Sequence, residues 1–342
     1  MNRLLILAFA STALSACATQ APPPLVAEAA PVPAEVAPPP APKPTMGSYG
    51  FDVAGMDTTV LPGNDFFGYA NGTWAKSTPI PADKSNYGMF TMLDDLSRER
   101  TRTIIEEAAK DPSSKMGLAY GAYVDTATIE GRGLDPIRPW LNEVAALGNK
   151  ADYPALAAKA GIYGIGVPFG FFVGQDDKNP DRYVPIMFQG GIGMPDRDYY
   201  LLADPKIAAT RAKYLEFLTA ILIEAGVADA AARAKAVLAY ETKIARVHWT
   251  QIDSRDSVKT YNLMTLAQLR KKAPGFDFNR YLADSRVNFD EVIVAQPSAV
   301  TGIAKLIATT PLQVLKDQLT IRSISSFGAI LPSSVDKIVF AF

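Results

Sequence analysis

The chain of 342 residues holds one histidine and one cysteine. Those two counts bound its chemistry before any fold is considered. A zinc hydrolase of the His-Glu-x-x-His type needs two imidazoles one helical turn apart, with the Glu beside them as base. His248 alone cannot supply that pair. Cysteine-rich zinc sites fall by the same count. A Ser-His-Asp triad would have to use His248, and no Gly-x-Ser-x-Gly turn accompanies it. In "ARVHWTQIDSRD" His248 stands at the end of a helical pattern, where it reads as a packed imidazole or one facing the helix dipole. The sequence therefore assigns no catalytic and no metal-ligating residue.

Carboxylates occur in pairs. Asp94–Asp95 and Glu106–Glu107 fall on a charged helix face, and Asp176–Asp177 in a turn, so solvation accounts for all three. Asp196 and Asp198, in "GGIGMPDRDYYL", stand beside Arg197 and two tyrosines. A glycosidase needs two carboxyls at a set separation, which adjacency in sequence does not provide. Gly164, Gly166 and Gly170 miss the dinucleotide-binding spacing, and no P-loop is present. A net charge of −1 gives no electrostatic case for nucleic acid or for an anionic membrane surface.

The elements that must position these residues read as mainly α. With 48% hydrophobic residues the chain can build a sizeable core. From Gly47 to Tyr87 turn formers and aromatics predict an ordered, non-helical segment, turned at Pro62-Gly63 and Asn71-Gly72 and packed through Phe66, Phe67, Tyr69 and Trp74. Asn71-Gly72-Thr73 also matches a glycosylation acceptor and reads here as a turn. Helical patterns cover 92–110, 115–128, 136–146 and 153–160. Pro168 to Gly174 and Tyr183 to Gln189 read as two strands of a hairpin around "QDDKNP". Asp204-Pro205 supplies an N-cap and an N1 proline for a helix carrying Leu215, Leu218 and Leu222, closed by Gly226. Asp229 opens the next helix, whose stripe runs Val237, Ile244, His248; Thr310-Pro311 opens another with Leu312, Leu315 and Leu319.

The N-terminal region has a different composition. Leu4 to Ala13 is an apolar run behind Asn2-Arg3, too short to span a bilayer, and Leu14-Ser15-Ala16-Cys17 resembles a bacterial lipobox. The expectation is a signal peptide over 1–16 and lipidation at Cys17; Ala18 after it favours the outer membrane, facing the periplasm. Residues 17–46 read as an Ala/Pro-rich tether, with ten prolines between 18 and 46. The folded part is expected over 47–342.

Four separated stretches carry a family resemblance. They are "VLPGNDFFGYANGTWAKSTPIPADKSNYGMFTML", "GGIGMPDRDYYL", "HWTQIDSRDSVKTYN", and "TPLQVLKDQL" followed by "LPSSVDKIVFAF". In type, order and spacing they resemble the N-terminal portion of the neprilysin/endothelin-converting-enzyme family of zinc metalloendopeptidases, in its bacterial oligopeptidase branch. The resemblance implies a large helical lobe with a small antiparallel β element, covering a chamber that admits small peptides. It implies Zn2+ for the full-length enzyme, held on a helix that in the family follows the last residue here, so this chain alone is expected to be non-catalytic and incomplete. It places Asn86 and Asp94 where animal members hold two arginines for a peptide's terminal carboxylate, and Phe90 near the primary specificity pocket. Asn86 and Phe90 are thus the candidate substrate-binding residues, with core packing as the plainer reading of Phe90. Partners implied are small peptides, the membrane through Cys17, and a catalytic half supplied as a separate polypeptide. The other reading left open is a stand-alone envelope lipoprotein that binds peptides or a protein partner.

Overall fold

The structure is a computed structural model and describes residues 53–342; the expectations for the signal segment, Cys17 and the tether lie outside the described residues. The chain divides into two units, one ending at Asp95 and one running from Leu96 to Phe342.

In the first unit, α1 (Phe66–Ser77) corrects the non-helical expectation for the aromatic-rich stretch. Asp65 caps it by accepting from the Gly68 amide at 2.8 Å, and the Asn71 side chain bonds back to the Phe67 carbonyl, so Asn71-Gly72 lies within the helix rather than in a turn. The aromatics do not form a packed cluster either. Phe66 and Phe67 are exposed, Trp74 is half-buried, and only Phe66 touches Tyr69. Asp57 binds Lys76 at 2.7 Å and so ties the segment before α1 to that helix.

Helix α2 (Met89–Ala108) carries the boundary between the units. The second unit continues with α3 (Lys115–Val124), α4 (Thr126–Arg132), α5 (Arg138–Ala146) and α6 (Tyr153–Ile162). The single helix expected over 115–128 is two, because Asp125 leaves helical geometry and caps α4 through Thr128. Strands β1 (Phe169–Asp176) and β2 (Asn179–Gln189) form the expected hairpin, with Phe169 opposite Gln189. Then follow α7 (Asp198–Leu201), α8 (Pro205–Glu224), α9 (Ala230–Val247), α10 (Gln251–Ser254), β3 (Leu263–Thr265), α11 (Leu266–Lys272), α12 (Phe278–Asp284), β4 (Glu291–Val294), α13 (Pro297–Thr309), α14 (Leu312–Ser326) and α15 (Ser333–Ala341). The sheet is larger than a hairpin: its order is β1-β2-β4-β3, and β4 runs parallel to β2.

Helix α9 divides two cores. On one side Tyr240 and Ile244 join the sheet residues Phe169, Met187, Val292 and Val294 and the aromatics Phe276, Phe278 and Tyr281. On the other, Val237 and Ala245 meet Leu218, Ile221 and Leu222 of α8, Ile324 of α14 and Val335 of α15. Each such buried aliphatic side chain contributes about 1.5–3 kcal/mol. Asp204 caps α8 through the amides of Lys206 and Ile207, and Gly226 ends it in left-handed geometry, φ +70°. Asp229 stands at the start of α9 but in left-handed geometry, and its side chain makes no cap bond. Among the described residues no single helix is long and apolar enough to cross a membrane.

Candidate functional site

The stretch Gly190–Asp198 leaves β2 and runs along α9 before α7 begins. Its glycines are required by geometry. Gly191 has φ +90°, which favours glycine, and a Cβ on Gly193 would lie 2.0 Å from the Tyr214 hydroxyl. The close approach lets this loop meet a buried carboxylate. Glu241, on α9, is 1% exposed. Its Oε2 accepts from the hydroxyls of Tyr200 at 2.7 Å and Tyr214 at 2.8 Å and from the Gly193 amide at 3.3 Å. Its Oε1 accepts from Gln318 Nε2 at 2.8 Å and Arg322 Nη2 at 3.0 Å. Five donors on one carboxylate leave it fully satisfied, as a buried charge requires. Burial, and after it the charge of Glu241, pushes both tyrosine hydroxyls well above their ordinary range, so they stay protonated as donors. Gln318 also donates to the Gly191 carbonyl at 3.0 Å, and Tyr200 accepts from the amides of Gly193 and Met194.

The outer side of the loop meets the segment after α9. His248 is buried, and its Nε2 lies 2.8 Å from the Gly190 carbonyl. A carbonyl only accepts, so Nε2 carries the hydrogen and donates. Burial lowers the imidazole's proton affinity below the ordinary value of 6.5, with Arg197 acting in the same direction. Gln189 and Trp249 exchange reciprocal bonds, Trp249 N donating at 2.8 Å and Gln189 Nε2 donating to the Trp249 carbonyl at 3.2 Å. Asp196 accepts from the Asp198 amide and from Gln251 Nε2. Arg197 donates through Nε to the Ala245 carbonyl at 3.2 Å. Two hollows open here, of about 230 and 240 Å³, and share Arg197, His248 and Trp249.

Three of the four stretches singled out in the sequence thus come together at the loop: the loop and α14 meet on Glu241, and the His248 segment bonds the loop's outer side at Gly190. Sequence reading missed Glu241 itself. Its signal was a carboxylate inside the apolar stripe, one turn after Val237 and three residues before Ile244. The expectation of a solvated Asp176 is overturned. Asp176 is 1% exposed and accepts from the Lys178 amide, Arg182 and Tyr261, which together lower its pKa and tie the hairpin to the neighbouring strand through Arg182–Glu291. Asn86 and Phe90 belong to the first unit. Both are exposed, Phe90 to 91%, which removes core packing as its role within this chain.

The described residues do not fit a zinc ion. Among them no three His, Cys, Asp or Glu side chains stand close enough to hold one, and the single imidazole is engaged by Gly190.

A sequence model of peptidase family M13 matches residues 62–342. Neprilysin-3 of Drosophila melanogaster is 31% identical over 261 residues, covering 70% of this chain and 33% of that protein. Endothelin-converting enzyme-like 1 of Mus musculus is 28% identical over 291 residues, covering 79% and 37%. The crystal structure of the zinc metalloprotease Zmp1 of Mycobacterium tuberculosis, in complex with an inhibitor, superposes with a TM-score of 0.78 at 28% identity, over 86% of this chain and 46% of that one. The chain spans about a third of the length of these curated relatives.

Proposed function

The chain belongs to peptidase family M13, and from that footing we propose that it is the N-terminal, chamber-forming portion of a neprilysin-like zinc endopeptidase that hydrolyses small peptides in the cell envelope. The observation that carries the reading is the match of residues 62–342 to the family, together with likeness over 86% of this chain to the structure of a zinc metalloprotease. Zinc chemistry, which activates water for peptide hydrolysis, is assigned to residues this chain does not carry, since its one histidine cannot make the paired-imidazole site. Alone, the chain is non-catalytic. Its own contribution is shape: a helical lobe whose loops are fixed by the Glu241 node. The envelope location rests on the lipobox-like Leu14–Cys17 and the acyl anchor expected at Cys17.

The test is the intact mass of the protein isolated from its native cells with an antibody to residues 47–342. A species far heavier than 36.8 kDa, carrying zinc, is expected. A separate zinc-bearing polypeptide co-purifying with this chain agrees equally well. A lone species near that mass, with no zinc-bearing partner, sets the enzyme reading aside in favour of a stand-alone binding lipoprotein.

A further inference from the structure

Two polar atoms deep in the second unit are buried and meet no hydrogen-bond partner among the described residues: the Tyr240 hydroxyl and Arg322 Nε. Buried polar groups are nearly always bonded, to protein or to ordered water, because losing solvent without a replacement bond is costly. Both atoms belong to the surroundings of Glu241. Tyr240 precedes Glu241 on α9, is 3% exposed, and turns into the core around the sheet. Arg322 comes from α14 and donates to Glu241 through Nη2 at 3.0 Å. Its Nη1 is closed in by the backbone at Gly166, where a Cβ would lie 3.2 Å away. The two groups share one electrostatic environment. Burial raises the Tyr240 hydroxyl well above its ordinary range, Tyr153 adds to the rise, and the Arg322 charge opposes it. The same charge opposes the rise to about 12 that burial gives Tyr153, itself 2% exposed. Two protonated hydroxyls and one guanidinium N–H therefore gather in this part of the interior.

We propose that one ordered water molecule is bound here, accepting from Arg322 Nε and hydrogen-bonded to the Tyr240 hydroxyl. The Nε–H only donates and a phenol can donate or accept, so a single water oxygen satisfies both. A hydrogen of the water is left for the Tyr153 oxygen, which brings it to the three or so bonds that a buried water usually makes. A halide suits the place less well. Glu241 already neutralises the guanidinium, so an anion would add an unpaired buried charge, whereas water adds none. Ser254, the other buried hydroxyl without a partner, differs in lining a hollow of about 230 Å³. The water has a structural consequence. Glu241 ties α9 to α14 and to the Gly190–Asp198 loop, while Tyr240 packs in the core around the sheet. A water on both Arg322 and Tyr240 extends the polar node into that core without direct contact between the two side chains. Nothing in this inference depends on the peptidase reading.

The experiment is a crystal structure of the purified chain, grown with bromide as the sole halide, at a resolution that shows ordered solvent. The expected result is an oxygen peak at hydrogen-bond distance, about 2.7–3.2 Å, from both Arg322 Nε and the Tyr240 hydroxyl, with no anomalous signal at the bromine edge. In Tyr240→Phe, which removes only the hydroxyl, that peak should be lost or weakened while the Arg322–Glu241 bond stays. No peak that reaches both atoms, an anomalous bromide in its place, a direct bond between Tyr240 and Arg322, or a peak of undiminished height in Tyr240→Phe each overturns the proposal. The first three outcomes are read in the unaltered chain, so the test stands even if Tyr240→Phe fails to fold.

Discussion

Glu241 and Arg322 bury opposite charges between two cores, and the five donors on the carboxylate make the pair a node rather than an isolated bridge. Glu241→Gln replaces one acceptor oxygen by a donor, so part of the set must face another donor and Arg322 loses its counter-charge. The expected cost is about 3–5 kcal/mol in a denaturant melt, the range for breaking a buried pair from one side. A loss under about 1 kcal/mol contradicts the node. His248 sets a pH dependence of known sign. Its pKa is lowered in the fold, chiefly by burial, so the unfolded chain binds more protons just below pH 6.5. Its contribution is complete above that value and is lost as pH falls through the folded value. The carboxylates with lowered pKa, Asp57 and Asp176 among them, act in the same direction but only from below about pH 5. The melting temperature should therefore fall between pH 7.5 and 5.5, and His248→Gln, which removes the only imidazole, should flatten that fall. At this scale the sequence was legible where a residue's neighbours in the chain decide its role, as for His248 at a helix end. It was not legible for Asp176 or Glu241, whose partners lie up to 85 residues away at Tyr261 and 81 at Arg322.

Elements were readable where local chemistry and tertiary packing agree. Helix α8 combines an Asp cap, an N1 proline, leucines at helical spacing and a glycine stop, and it forms as expected. Asp204→Ala should cost about 1 kcal/mol by removing the bonds to Lys206 and Ile207. The hairpin also followed from its turn formers. Strands β3 and β4 were missed because segments of three and four residues are too short to show a period, and β4 is buried on both faces. Helix α1 was misread because its Asn, Gly and aromatic residues are weak helix formers, while the Asp65 cap and Asp57–Lys76 hold it helical. Trp74→Ala should thus cost well below the roughly 3–5 kcal/mol of a buried tryptophan. The tight loop-to-helix fit makes the opposite prediction at Gly193: with a Cβ 2.0 Å from the Tyr214 hydroxyl, Gly193→Ala should lower stability by about 1–3 kcal/mol. Wild-type stability in that variant, measured by thermal melt, contradicts the geometry.

For the whole molecule, the proposed function assigns the lobe to this chain and the catalytic chemistry elsewhere. Residues 62–342 carry the family's fold, and a single histidine cannot carry its zinc site. The helical lobe was legible because motifs in order imply topology; the meeting of the Gly190–Asp198 loop and α14 on one buried carboxylate was not, since nothing in their spacing sets a distance in space. The most direct test is zinc content and chelator-sensitive cleavage of a small peptide by the purified chain. The account predicts substoichiometric zinc and no cleavage above buffer. One zinc per chain together with cleavage that a chelator abolishes would contradict it.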